Sequence, residues 1–267
     1  MAGNTKALRV RIKSVTSTMQ LTKAMGLVAS SKIRRANESM SKGLEYSDSL
    51  EKIINLLTAD RESEKSPYMK QRETSRTRII VIAGDRGLAG GYNANVFRLA
   101  AKYPDAEFIP IGKRACEKFG KLVQSSEYFS FENAAELADM LCRDFAEEKF
   151  DRLGIISTEY ISVMSQEAYI KWILPFEKSD RTDSAGTIFE PDHLTVLNNV
   201  AREYVAGIIT VCVRESFASE VAARRMAMDS AGKNAQEMIS NLQLEYNRAR
   251  QGAITQEITE IVAGSGT

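Results

Sequence analysis

Residues Ala218–Gly264 read ASEVAARRMAMDSAGKNAQEMISNLQLEYNRARQGAITQEITEIVAG, a stretch of mixed charge with a thin apolar seam. Stepping by alternate threes and fours meets Phe217, Val221, Arg224, Met228, Ala231, Ala235, Met238, Leu242, Tyr246, Ala249 and Ala253. That spacing turns one side of a helix toward a partner helix, as a coiled coil requires. No proline occurs between Asp192 and Thr267. A helix over Asp192–Ala263 would therefore run roughly 108 Å at the usual rise per residue. A rod of that length needs a partner.

The other end of the chain supplies one. Leu8, Ile12, Val15, Met19, Thr22, Gly26, Ala29, Ile33, Ala36, Met40, Gly43, Ser47, Leu50, Ile54 and Leu57 keep the same alternation without a slip. The first proline is Pro67, so nothing breaks this helix. Its small seam residues let two helices approach closely. From Met1 to Asn37 it carries Lys6, Arg9, Arg11, Lys13, Lys23, Lys32, Arg34 and Arg35 and no acidic residue. A solvated face mixes both signs, so this one points to an acidic partner.

Between the two helices the period changes. Asp60–Thr77 is polar and reads as a linker. Arg78–Ala83, RIIVIA, reads as a buried strand leading into the glycine-rich turn Gly84–Asn93, GDRGLAGGYN. Helices are expected over Ala94–Lys102, Lys113–Leu122 and Asn133–Glu148. Strands are expected over Glu107–Gly112, Leu153–Ser157 and, at an edge, Ala168–Phe176. The alternation implies a small parallel-type α/β domain. Ser179–Gly186 reads as a polar loop, and Asp192 after Pro191 as the cap of the second long helix. The apolar run Leu194–Val213 is expected to pack on both the α/β domain and the first helix. The reading is thus α/β: a long antiparallel coiled coil of N- and C-terminal helices with an inserted Rossmann-like α/β domain. Its spans are 1–60 and 188–267 for the helices, 61–77 for the linker and 78–187 for the α/β domain.

Composition narrows function by exclusion. Net charge is +1, and no aromatics interleave the basic helix, which argues against nucleic acid. Cys116, Cys142 and Cys212 fit no metal or redox spacing and suit a reducing compartment. His193 has no Cys or His neighbour to complete a ligand set. No run of 18 apolar residues spans a bilayer, and the basic N-terminus lacks a secretory apolar segment. The glycine turn ends Gly-Gly-Tyr-Asn rather than the Gly-Lys-Ser/Thr of a phosphate loop, and its spacing is not that of a dinucleotide fingerprint. Its glycines suit a tight strand-to-helix crossing with positive φ. No catalytic set and no cofactor site can be picked out.

Three blocks carry a resemblance: RIKSVTSTMQLTKAMGLVASSKIRRA at Arg11–Ala36, GDRGLAGGYN, and the run from Ser219 to Gly264. Together they resemble the gamma subunit of F-type ATP synthases, the central shaft of a rotary motor. Many members have cysteine where this chain has Ala89, and 125–187 match only in pattern. The resemblance implies a non-catalytic rotor coupling proton-driven rotation of the c ring to affinity changes in a ring of alpha and beta subunits. The epsilon subunit would sit beside it, at the cytoplasmic face of a bacterial plasma membrane. It also implies beta-subunit contacts at Met25, Lys23, Lys32, Arg34, Arg35, Arg224, Arg250 and Gln251, and c-ring contacts at Phe189 and Glu190. Two rivals remain at this point: a small-molecule or nucleotide-binding α/β enzyme with a helical oligomerisation arm, and a DNA-associated coiled coil.

Overall fold

Two long helices dominate the computed structural model, which describes residues 2–73, 76–120, 125–179 and 189–264. Helix α1 spans Ala2–Thr58 and helix α5 spans His193–Gly264. Contacts divide the chain into two compact units, Met1–Ala29 with Arg225–Thr267, and Ser30–Arg224.

Every expected seam residue of α1 is buried or half-buried, whereas Val10, Leu21, Leu27 and Val28 between them are exposed. In the first unit the Arg9 guanidinium donates to the Tyr246 hydroxyl at 2.8 Å, Thr22 lies against Gly232 and Gly26 against Met228. Rising positions in α1 thus meet falling positions in α5, and the two segments are antiparallel. One seam position of α5 needs correcting: Met238 is 46% exposed and Ile239 is half-buried. A step of three from Ala235 falls about 60° short of a full turn, whereas a step of four overshoots by only about 40°. Measured back from Leu242 the two offsets exchange, so Met238 and Ile239 flank the shared face equally and packing, not spacing, selects Ile239.

The second unit is built on a four-stranded sheet of order β2-β1-β3-β4. Its elements in chain order are β1 Thr77–Ile82, α2 Tyr92–Ala100, β2 Glu107–Ile111, α3 Lys113–Phe119, α4 Phe131–Ala146, β3 Arg152–Tyr160 and β4 Gln166–Leu174. Strand β1 runs parallel to β2 and β3, and β4 is an antiparallel edge. Ile79–Ile82 is continuously apolar because this part of β1 is buried on both faces. Ile79 and Val81 meet Val96, Ala100 and Ala115 of α2 and α3 on one side. Ile80 and Ile82 face the larger core on the other.

That larger core joins Leu50, Ile54 and Leu57 of α1 and Leu197–Val213 of α5 to the sheet and to α4. The apolar upper part of α5 packs on both, as its composition implies. By length and composition alone α5 could cross a membrane, but 67% of its most apolar window is buried inside the protein. Segment 62–69 forms two 3-10 turns, and Tyr68 stacks on Phe145 in the core. Ser130 and Asn133 close a reciprocal capping box at the start of α4. At the start of α5, Asp192 Oδ1 accepts the Thr195 amide and Oδ2 the Thr195 hydroxyl, both at 2.8 Å. These bonds hold its carboxyl below its ordinary range. The expected loop 179–186 lies, beyond Ser179, outside the described residues.

Candidate functional site

The glycine-rich turn after β1 is held from several directions. The Gly84 amide donates to Asn93 Oδ1 at 2.9 Å, and the Arg114 amide donates to the Gly84 carbonyl at 3.1 Å. A Cβ at Gly84 would lie 2.6 Å from the Glu220 carboxyl carbon, so only glycine lets the turn approach α5 this closely. Gly90 takes the positive φ expected of the turn, and Leu88 does so as well.

Asp85 is the hub of the turn. It accepts the amides of Lys113 at 3.0 Å, Ser126 at 2.9 Å and Glu127 at 3.2 Å, and the Ser125 hydroxyl. Burial pushes its carboxyl up, but these four donors together hold it below its ordinary value. Across the turn, Glu220 is buried with its carboxylate bonded to Arg224. Burial raises its pKa, and the Arg224 guanidinium offsets only part of that. Arg224 also donates through Nη2 to the carbonyls of Gly87 at 3.2 Å and Arg86 at 3.4 Å. The amides of Lys113, Ser126 and Glu127, donors of the kind a phosphate needs, are already taken up by the Asp85 carboxylate. That disfavours the nucleotide-binding rival.

The expected partner contacts are distributed over both units. In the first, Lys23, Arg250 and Gln251 are exposed and Met25 is half-buried. In the second, Arg34 and Arg35 are exposed, with Arg34 3.7 Å from Glu38. Lys32 is engaged within the chain: it pairs with Glu127, which also holds Arg86 at 3.0 Å. Lys32 and Arg35 line a cavity of about 370 Å³, together with Glu127, Phe129, Arg214 and Phe217. Phe189 is half-buried against the larger core, its ring 4.7 Å from that of His193, and Glu190 is exposed.

Sequence reasoning passed over Asp85, Glu127 and Glu220. Asp85 carried a usable signal, an aspartate in a glycine turn directly after a strand. Glu220 and Arg224 have the spacing of an ordinary surface pair, and nothing local distinguishes them. All three cysteines are buried, and burial pushes the thiols of Cys142 and Cys212 up to about 12 and about 11. Neither is a thiolate near neutral pH.

The family model described as ATP synthase matches residues 4–267. An ATP synthase gamma chain of Ruminococcus albus is 40% identical, with 98% of each chain covered. One from Geotalea daltonii is 36% identical, with 97% of each covered. A chain of the Euglena gracilis mitochondrial ATP synthase, solved with OSCP, F1 and c-ring in one rotational state, shares the fold at 18% identity. Its TM-score is 0.69, covering 98% of this chain and 94% of that one.

Proposed function

The chain belongs to the ATP synthase gamma family and is a central-stalk rotor subunit, and from that premise we propose how its residues couple rotation to catalysis. A shaft changes an equilibrium only by contacting different conformers differently. One antiparallel helix pair inside a ring of alternating alpha and beta subunits has no matching symmetry, so each beta subunit meets a different face. Lys23, Arg34 and Arg35 on acid-free α1, with Arg250 and Gln251 on α5, offer cations and donors to acidic beta segments. Met25 adds an apolar contact beside them. Lys32 and Arg224 belong to the same set, although each is also engaged within the chain. Phe189 and Glu190 meet the c ring, with the epsilon subunit alongside, at the cytoplasmic face of a bacterial plasma membrane. The subunit itself performs no chemistry; ATP forms and breaks in the ring.

The observation that carries this reading is the exposed cationic face of α1, which has no acidic residue before Glu38. A pull-down on the full chain should recover alpha, beta and epsilon subunits together. Reversing charge with Arg34→Glu and Arg35→Glu should weaken assembly or lower the ions pumped per ATP. Unchanged assembly and coupling would remove the acidic-partner contact at these positions. Tight ATP binding by the purified chain alone would favour the enzyme rival.

A further inference from the structure

Where α1 crosses the second unit its seam mixes small and large residues, with Ala36, Gly43 and Ser47 buried between Ile33 and Leu50, Ile54 and Leu57. The small positions bring helices close, and the apolar contribution to their packing is itself non-directional. Hydrogen bonds and ion pairs are directional, and around the glycine turn they form one continuous chain. From α5, Arg224 is braced by Glu220 and donates to the Arg86 and Gly87 carbonyls. The Arg86 side chain reaches Glu127 at 3.0 Å, and Glu127 takes Lys32 of α1. Asp85 ties the backbone of Ser126 and Glu127 to the turn.

A second set of bonds fixes the adjoining stretch of α5 to the sheet. The Thr158 amide donates to Ser216 Oγ at 3.1 Å, Ser219 Oγ donates to the Thr158 carbonyl at 3.2 Å, and the Tyr92 hydroxyl donates to the Ser216 carbonyl at 3.0 Å. These groups are buried, so each bond is shielded from competing water. The Lys32–Glu127–Arg86 arm is more open, with the Arg86 side chain 61% exposed and that of Glu127 14%.

We propose that the turn Gly84–Gly87, with Glu127, is a torsional key: it locks α1 and α5 against rolling relative to the sheet, so torque entering the α/β domain passes into both helices. The inference rests on the rotor reading. It makes Lys32, Arg86, Glu127 and Arg224 positioning residues that act through the turn.

The test is a double-variant cycle in membrane vesicles carrying the complete complex, reading protons pumped per ATP hydrolysed. Glu127→Gln and Lys32→Met should each lower that ratio about twofold or more, and the double variant should fall no further, since members of one network are non-additive. Arg86→Gln, at an exposed side chain, keeps the test open if a more buried variant folds poorly, and it should lower the ratio too. In the isolated chain, amide exchange at Gly87–Ala89 should rise about tenfold in Glu127→Gln as the turn loosens. A normal ratio in both Glu127→Gln and Arg86→Gln overturns the key. So does a Lys32→Met deficit that adds to that of Glu127→Gln, because Lys32 then acts outside the network. Failure of the wild-type chain to copurify with ring subunits sinks the rotor reading instead, and the exchange measurement still reports on the network.

Discussion

Glu215 shows what burial does to a single side chain of this rotor. It is buried on α5, accepting the Tyr160 amide at 3.2 Å and facing the Tyr169 hydroxyl at 3.5 Å. Burial raises its pKa above the ordinary 4.5, and nearby Glu159 adds to that; Lys171 on β4 only partly opposes it. A raised folded-state value means full stability below the unfolded pKa and a loss as pH rises through the folded one. Glu215→Gln should therefore raise the melting temperature at pH 8 and give little gain at pH 4, as read by thermal melts at both. An equal gain at both would mean that ionisation is not the cost. Gly112 poses a steric constraint: its φ is +94°, and a Cβ there would lie 1.8 Å from the Ala83 carbonyl oxygen. Gly112→Ala should leave little soluble folded chain, and a normal yield and melt would refute that. Both residues were silent in the sequence. Glu215 occupies an ordinary helical position, and only the arrival of β3 and β4 from elsewhere in the chain buries it. Asp192, by contrast, was legible because a cap acts within its own turn.

At the level of elements, periodicity carried most of the information, because helix–helix burial repeats along one chain segment. The α1 seam agrees with the structure from Leu8 to Leu57, and the IIVI of RIIVIA emerged as the part of β1 buried on both faces. The slip at Met238 arose because a strict alternation of steps cannot tell 238 from 239 when both are apolar. The seam predicts unequal costs there. Ile239→Ser should destabilise by about 1–2 kcal/mol, and Met238→Ser by much less, in denaturant titrations. Equal losses would put the seam back at Met238. Leu57, fully buried where α1 joins the sheet and α5, should cost about 2–5 kcal/mol when truncated to alanine. The register of β4 and the polar chain around Gly84 were not legible, because both depend on which distant segments meet. For the same reason the sequence offered Lys32 and Arg224 as outward contacts and showed nothing of Glu127 or the Gly87 carbonyl.

The whole molecule is organised by two terminal helices that enclose an α/β insertion in sequence, and its function follows from that plan. The most distinctive exposed feature among the described residues is the cationic face of α1, acid-free before Glu38. A coupling shaft needs such a face, a partner that differs at each angle, and a base through which torque enters. The resemblance read from three sequence blocks and the full-length family match agree on that role. The most direct test fixes the assembled complex to a surface by its ring and attaches a bead to an exposed residue of the α/β domain. On adding ATP, a rotor predicts that the bead turns continuously in one direction, pausing at angles set by the ring. ATP hydrolysis at a normal rate with the bead held at one mean angle would contradict it.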